Sequence, residues 1–271
     1  MTEVFRPLRL HLIFVALAIA LTGVLLYPAR SGEVLPRHAP RPAIPKTDSS
    51  GRIIRGPRGQ FASANWSGYV LANWQTGGTY SSASATWTVP TVSSPPGGAY
   101  SATWVGIGGA FTDSSGSSAD GSLIQLGTEQ DSKFSRYYAW YALSPSYSEQ
   151  SIPLTVGPGD SISASLAETS TNSWTLKMTV THKGTPNTWT RSPINFTSSH
   201  LSAEWIMEAP TVAGSIASLA DYHQATFSAT SLPLQSGDEE YIMYDPHAQT
   251  SNPSAASRVA PASAPAGERA R

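Results

Sequence analysis

Two glutamates, Glu204 and Glu208, lie four residues apart in residues 200–210 (HLSAEWIMEAP). Read as a strand, the segment turns Glu204, Ile206 and Glu208 to one face and Trp205 and Met207 to the other. Carboxylates so placed can move protons in general acid–base chemistry, although a solvated outer face is the plainer explanation for such a pair. Charged residues make up 13% of the chain, against about 25% in an ordinary soluble domain, so two acids on one strand face need a reason. Trp205 and Met207 form the core side, which leaves the acids facing water or a cleft. Residues 122–128 (SLIQLGT) repeat the design, with Ile124 and Leu126 against Leu123 and Gln125. Residues 102–109 (ATWVGIGG) set Val105 and Ile107 against Trp104 and Gly106. With Trp140 from YYAWY (137–141), these segments allow an aromatic-lined cleft around a Glu and a Gln.

Other chemistries find little support. The chain has no cysteine, which removes thiolate zinc sites, a cysteine nucleophile and a disulfide framework. His182, His200 and His223 show no metal-ligand spacing, so neither metal nor cofactor is expected. G-x-S-x-G is absent, and its strand-to-helix elbow has no place in a chain without helical stripes. Residues 113–120 (DSSGSSAD) offer spaced oxygens but lack the glycine position and closing Glu of a calcium loop, and read as a Ser/Gly loop. A net charge of −1 without a basic run argues against a nucleic-acid partner.

The elements that must hold these residues are strands. Trp174, Leu176, Met178 and Val180 alternate with Thr175, Lys177, Thr179 and Thr181, the period of a half-buried strand. Ile162, Ala164 and Leu166 alternate with serines, and Ala83, Ala85, Trp87 and Val89 repeat the pattern before Pro90. Short strands between Gly/Pro/Ser turns predict an all-β antiparallel sandwich over residues 61–246. Residues 12–27 are an apolar run preceded by Arg6 and Arg9, within a signal peptide or membrane anchor over residues 1–31 that exports the domain. Residues 32–60 are a basic, Pro-rich propeptide or linker, and 247–271 a disordered low-complexity tail.

Seven motifs occur in order: NWSGY (65–69), WTVP (87–90), WVGIG (104–108), LIQLG (123–127), AWY (139–141), Gly159-Asp160 and AEWIME (203–208). Together they resemble the glutamic peptidases, the eqolisin or G1 family, in the branch with bacterial members. The resemblance implies two curved seven-stranded antiparallel sheets, like those of legume lectins or concanavalin A, with substrate in the concave face. It places a catalytic dyad at Gln125 and Glu208, rather than Glu204. It makes Trp66, Trp104, Trp140 and Glu129 the substrate-binding residues. Acids that many members carry are replaced here by Gly108 and Ala142, while Glu129 keeps a carboxylate near Gln125.

The residue types suit peptide hydrolysis without metal or cofactor. A Glu can take a proton from water and return it to the leaving amine. A Gln amide can orient the water and donate to the oxyanion. The implied protein is a secreted or membrane-anchored monomeric endopeptidase acting on polypeptides in acid. The alternative is a jelly-roll glycoside hydrolase or carbohydrate-binding lectin-like domain, using Glu204 and Glu208. Four residues of flat strand separate their Cα atoms by ~13 Å, whereas retaining carboxyls need about 5–5.5 Å.

Charge is divided by region. Residues 61–246 carry five Lys/Arg against fourteen acids, whereas residues 32–60 carry six against two. A basic leader beside an acidic domain suggests autoinhibition at neutral pH and release as the carboxylates protonate. So few basic groups leave little positive self-repulsion once the acids are neutral, which suits a domain that stays folded in acid.

Overall fold

The computed structural model describes residues 38–39, 41–56, 59, 61–93, 98–229, 239–243 and 259–260. The apolar run 12–27, the start of the leader and nearly all of the tail lie outside them. In chain order the strands begin with β1 (His38–Ala39), β2 (Phe61–Ser63) and β3 (Trp66–Ala72). A single helical turn, α1 (Asn73–Thr76), precedes β4 (Ser82–Thr88), β5 (Tyr100–Gly108) and β6 (Leu123–Asp131). Then come β7 (Arg136–Ser144), β8 (Tyr147–Thr155), β9 (Ser161–Ser170), β10 (Ser173–His182) and β11 (Thr185–Asn195). β12 (Ser202–Glu208), β13 (Thr211–Val212), β14 (Ser215–Ile216), β15 (Ala225–Ala229), β16 (Glu239–Met243) and β17 (Val259–Ala260) complete the list.

The sandwich reading holds. One sheet runs β2-β16-β3-β12-β5-β6-β7-β8 and the other β11-β10-β9-β4-β15-β17. The implied seven-plus-seven division becomes eight and six, because β2 and β16 extend one edge of the first sheet beyond β3. β16 joins β3 antiparallel and β2 joins β16 parallel, and β17 at the edge of the other sheet pairs parallel with β15.

Alternation decides what each strand buries. Trp174, Leu176, Met178 and Val180 of β10 point inward with Ile162, Ala164 and Leu166 of β9. They meet Val105, Ile107, Ile124, Leu126, Trp205 and Met207 from the opposite sheet in one cluster. Polar atoms in this layer are paired across it. Trp87 Nε1 donates to Thr128 Oγ1 at 3.2 Å, and Trp205 Nε1 to the Ser84 carbonyl at 3.1 Å.

The leader is attached to this framework. β1 pairs with β13, isolated bridges join Pro45 to Ser63 and Arg55 to Phe61, and a bridge from Thr47 to Ile53 folds the leader on itself. Its sequence has no apolar period because backbone groups hold it.

Candidate active site

The other face of the eight-stranded sheet carries a second apolar cluster, which includes Trp66, Val70, Trp104, Trp140, Leu123 and Ile206. Gln125 and Glu208 belong to this face by register. Glu208 pairs with Trp66 on one side and Ala102 on the other, and Ala102 pairs with Glu129. Gln125 pairs with Gly106 and Ala142. The two side chains therefore stand on strands separated by β5, four residues apart along the sheet.

Curvature shortens that diagonal. Trp66 and Leu123 lie three strands and six residues apart on the same diagonal. On a flat sheet this places their Cα atoms ~25 Å from each other. A methyl group built on Gly109 would nevertheless fall 3.1 Å from both the Trp66 ring and Leu123 Cδ2. The face is thus concave between them. Trp104 fills the space between the two candidate groups. Its Nε1 donates to Glu208 Oε2 at 2.9 Å. Its Cζ3 leans over Gly106, where a methyl would meet it at 2.9 Å and Gln125 Cβ at 3.3 Å. Trp66 packs edge-on against Trp104, with centroids 5.0 Å apart.

Electrostatics set the four polar groups of this face apart. Glu208 is 1% exposed, and burial pushes its pKa up to about 8, with the Glu129 carboxylate adding to the rise. The Trp104 N–H, the Asn65 amide and the Arg41 backbone N–H oppose this without reversing it. Asn65 Nδ2 lies 3.5 Å from Oε1. Gln125 is fully buried, and neither atom of its amide has a hydrogen-bond partner among the described residues. Glu204 is also fully buried, not a solvated acid, and burial holds its pKa well above the usual range. The Ser202 hydroxyl and Gly108 N–H lower it a little, but neither is aligned as a donor to its carboxylate.

The register of β12 has no bulge. The Cα atoms of Glu204 and Glu208 therefore keep the ~13 Å of four strand residues, with none of the approach that a bulge would give the paired acids of sugar hydrolysis. Glu129 stands in the row of Glu208, not beside Gln125. Gly108 takes φ +87°, and a Cβ there would fall 2.1 Å from the Ser122 carbonyl, so an acid cannot occupy this backbone. Ala142 leaves Gln125 without a charged neighbour on β7.

Described leader residues cover the Glu208 end. Trp66 Nε1 donates to the Arg41 carbonyl at 3.2 Å, and Asn65 Nδ2 to the Pro42 carbonyl at 3.2 Å. Ala43 N–H donates to the Gly109 carbonyl at 2.9 Å and Ile44 N–H to Asn65 Oδ1 at 2.8 Å. Among the described residues no ion pair joins Arg41, Lys46, Arg52 or Arg55 to a carboxylate. The attachment combines these backbone hydrogen bonds with side chains: Ala43 is buried, the Arg55 guanidinium donates to the Ser114 carbonyl and lies 3.6 Å from the centre of the Phe61 ring, and buried His38 brings Nδ1 within 2.6 Å of Glu129 Oε1.

Sequence reasoning missed His38 and Glu149. Neither has a local motif, and only the fold brings them to Glu129.

The chain is similar to known proteins in sequence. The description Peptidase A4 family matches residues 64–256. Aspergillopepsin-2 from Aspergillus niger is 28% identical over 216 residues, covering 71% of this chain and 72% of that protein. Scytalido-glutamic peptidase, solved with a peptide-based transition-state analogue, is 27% identical. The match covers 61% of this chain and 74% of that one, at a TM-score of 0.45. SCP-B, an eqolisin solved with the tripeptide Ala-Ile-His, is 26% identical. It covers 66% and 83% at a TM-score of 0.42. On the match over residues 64–256, this chain belongs to the Peptidase A4 family of glutamic peptidases, the eqolisins, and is a peptide hydrolase.

Proposed function

We propose that this peptidase is exported, acts on polypeptides in acid, and uses Gln125 and Glu208 as its reacting pair. The observation that carries the reading is the pairing of two unlike buried groups on the concave face. One is a Gln amide with free donor and acceptor, and the other a carboxyl held by the indole N–H of Trp104. In the substrate complex the Gln125 carbonyl orients water and its N–H₂ donates to the developing oxyanion. Glu208 takes the water proton when ionised and returns it to the leaving amine. Its raised pKa in the leader-covered state leaves it protonated at neutrality, so opening the cleft to water precedes the base role. Trp66, Trp104 and Trp140 supply the apolar walls, and Glu129 a polar wall beside Glu208.

Residues 41–44 are the blocking segment in this reading. They lie across Glu208 and Trp66 and satisfy Asn65 with backbone groups, as a bound polypeptide does. Export is carried by residues 12–27. Among the described residues no helix is long and apolar enough to cross a membrane.

A proteolysis assay from acid to neutral pH, with pepstatin present, tests the mechanism. Gln125→Ala and Glu208→Gln should each lower turnover by ~10²–10³ or more while circular dichroism retains the β signature. Turnover near the parent level in either variant removes that residue from the pair.

A further inference from the structure

A second polar cluster lies where the leader meets the edge of the cleft. His38 of β1, Glu129 of β6 and Glu149 of β8 bring one ring nitrogen and two carboxylate oxygens within 4.8 Å of one another. His38 and Glu129 are 3% and 1% exposed. Their contact, Nδ1 to Oε1 at 2.6 Å, is short but lacks hydrogen-bond alignment. Neither oxygen of Glu129 has an aligned donor, and His38 Nε2 has no partner. The Tyr138 hydroxyl lies 3.1 Å from His38 Nδ1, and the ring of Tyr100 packs edge-on against the imidazole at 5.1 Å.

From this juxtaposition we infer that His38, Glu129 and Glu149 form a binding site for a divalent transition-metal ion of the zinc class, clasping the leader to the catalytic sheet. One imidazole, two carboxylates and a water make a four-coordinate N/O set of the kind zinc accepts, with bonds of about 2.0–2.2 Å. Such bonds space neighbouring ligand atoms at ~3.4 Å, between the 2.6 Å and 4.8 Å limits here. Small side-chain rotations close the set. Arg136, its guanidinium 4.4 Å from the centre of the Tyr138 ring, faces the cluster with one positive charge. Glu129, Glu149 and the nearby Asp131 bring three negative ones when ionised. An ion here answers the Glu129 oxygens that the protein leaves without donors, a need that isolated acids at a solvated surface do not have.

The ligands come from both sides of the leader contact, so the ion strengthens leader docking. This consequence rests on residues 41–44 being the blocking segment, whereas the binding site itself does not.

The test uses the full chain carrying Glu208→Gln, with its intact mass verified, so that the leader stays attached. Zinc chloride titrated calorimetrically at near-neutral pH should show a single equivalent bound. Cobalt chloride should give the visible absorption of a four-coordinate N/O site. His38→Gln, placed in the leader and outside the sandwich core, should weaken zinc binding by at least ~10–100-fold and abolish the cobalt band. Glu149→Gln should do the same. Absence of binding overturns the site, and so does binding equally tight in His38→Gln. These readouts need no turnover, so a failure here stands apart from a failure of the Gln125–Glu208 reading.

Discussion

The two faces of the eight-stranded sheet are made by alternate residues of the same strands, yet they obey different rules. Toward the six-stranded sheet, β12 presents Trp205 and Met207, and β6 presents Ile124 and Leu126. Polar atoms such as Trp87 Nε1, Thr128 Oγ1 and Trp205 Nε1 are bonded there. Toward the cleft, the same two strands present Glu204, Glu208, Gln125 and Glu129. Three of these four side chains have no aligned hydrogen-bond partner. A buried polar group without a partner costs roughly 1–3 kcal/mol. One face therefore stabilises the domain, and the other draws on that stability to keep polar groups dry, three of the four without an aligned partner.

The largest separation between the faces should come from Trp205→Ala. Removing this fully buried indole also loses its bond to Ser84, and should destabilise the domain by about 3–5 kcal/mol, read as a lower urea midpoint. Glu208→Gln, one alternation away, should leave the midpoint unchanged or raise it while activity collapses. Equal losses of stability in the two variants break the distinction.

A smaller effect is expected at Trp104, where the cleft face does supply a donor. Trp104→Phe keeps an aromatic ring but removes the N–H bonded to Glu208. A hydrogen bond to a charged group is worth about 1.5–3 kcal/mol, which corresponds to ~10–100-fold in kcat/KM. That donor favours the ionised carboxylate, so its loss raises the pKa of Glu208 and moves the acid limb of the pH profile upward. A fall in rate without movement of the profile assigns Trp104 to packing alone.

The alternation that separates the faces was legible in the sequence because a period of two needs no tertiary information. It assigns Trp205 and Met207 to the core, and Glu204, Glu208, Gln125 and Trp104 to the opposite side. The ordered motifs carried the family and the candidate pair. Strand neighbours were not legible, since nothing local says that Glu129 shares a row with Glu208 or that β5 lies between the two candidate groups. Curvature was equally hidden. It emerges from Trp66, Gly109 and Leu123 meeting, three positions far apart along the chain. The leader escaped the search for apolar periodicity because proline-rich chain can dock through its carbonyls and remaining N–H groups. Its six basic residues suggested long-range attraction, whereas the contacts at 41–44 use the leader's backbone groups, and Arg55 docks on a carbonyl and an aromatic ring rather than on a carboxylate.

Glu204 offers the finest test of the difference between the faces, because it is buried, unpaired and outside the proposed reacting pair. Its pKa in the fold lies well above 4.5, chiefly through burial, whereas the unfolded chain hydrates it normally. Between those two values the folded state holds a proton that the unfolded state has lost. Stability contributed by this group is therefore fully present below about pH 4.5 and falls as pH rises toward the folded pKa. Glu208, raised to about 8, acts in the same direction. Urea midpoints should decline from the ordinary carboxylate range to neutrality, the reverse of a domain held by ion pairs. Glu204→Gln removes one titrating group and should flatten that decline. The gain should appear at neutrality, with little change in acid. An equal shift at both pH values assigns the effect of Glu204 to shape rather than charge. A steeper decline in the variant contradicts the burial of an unpaired acid on this face.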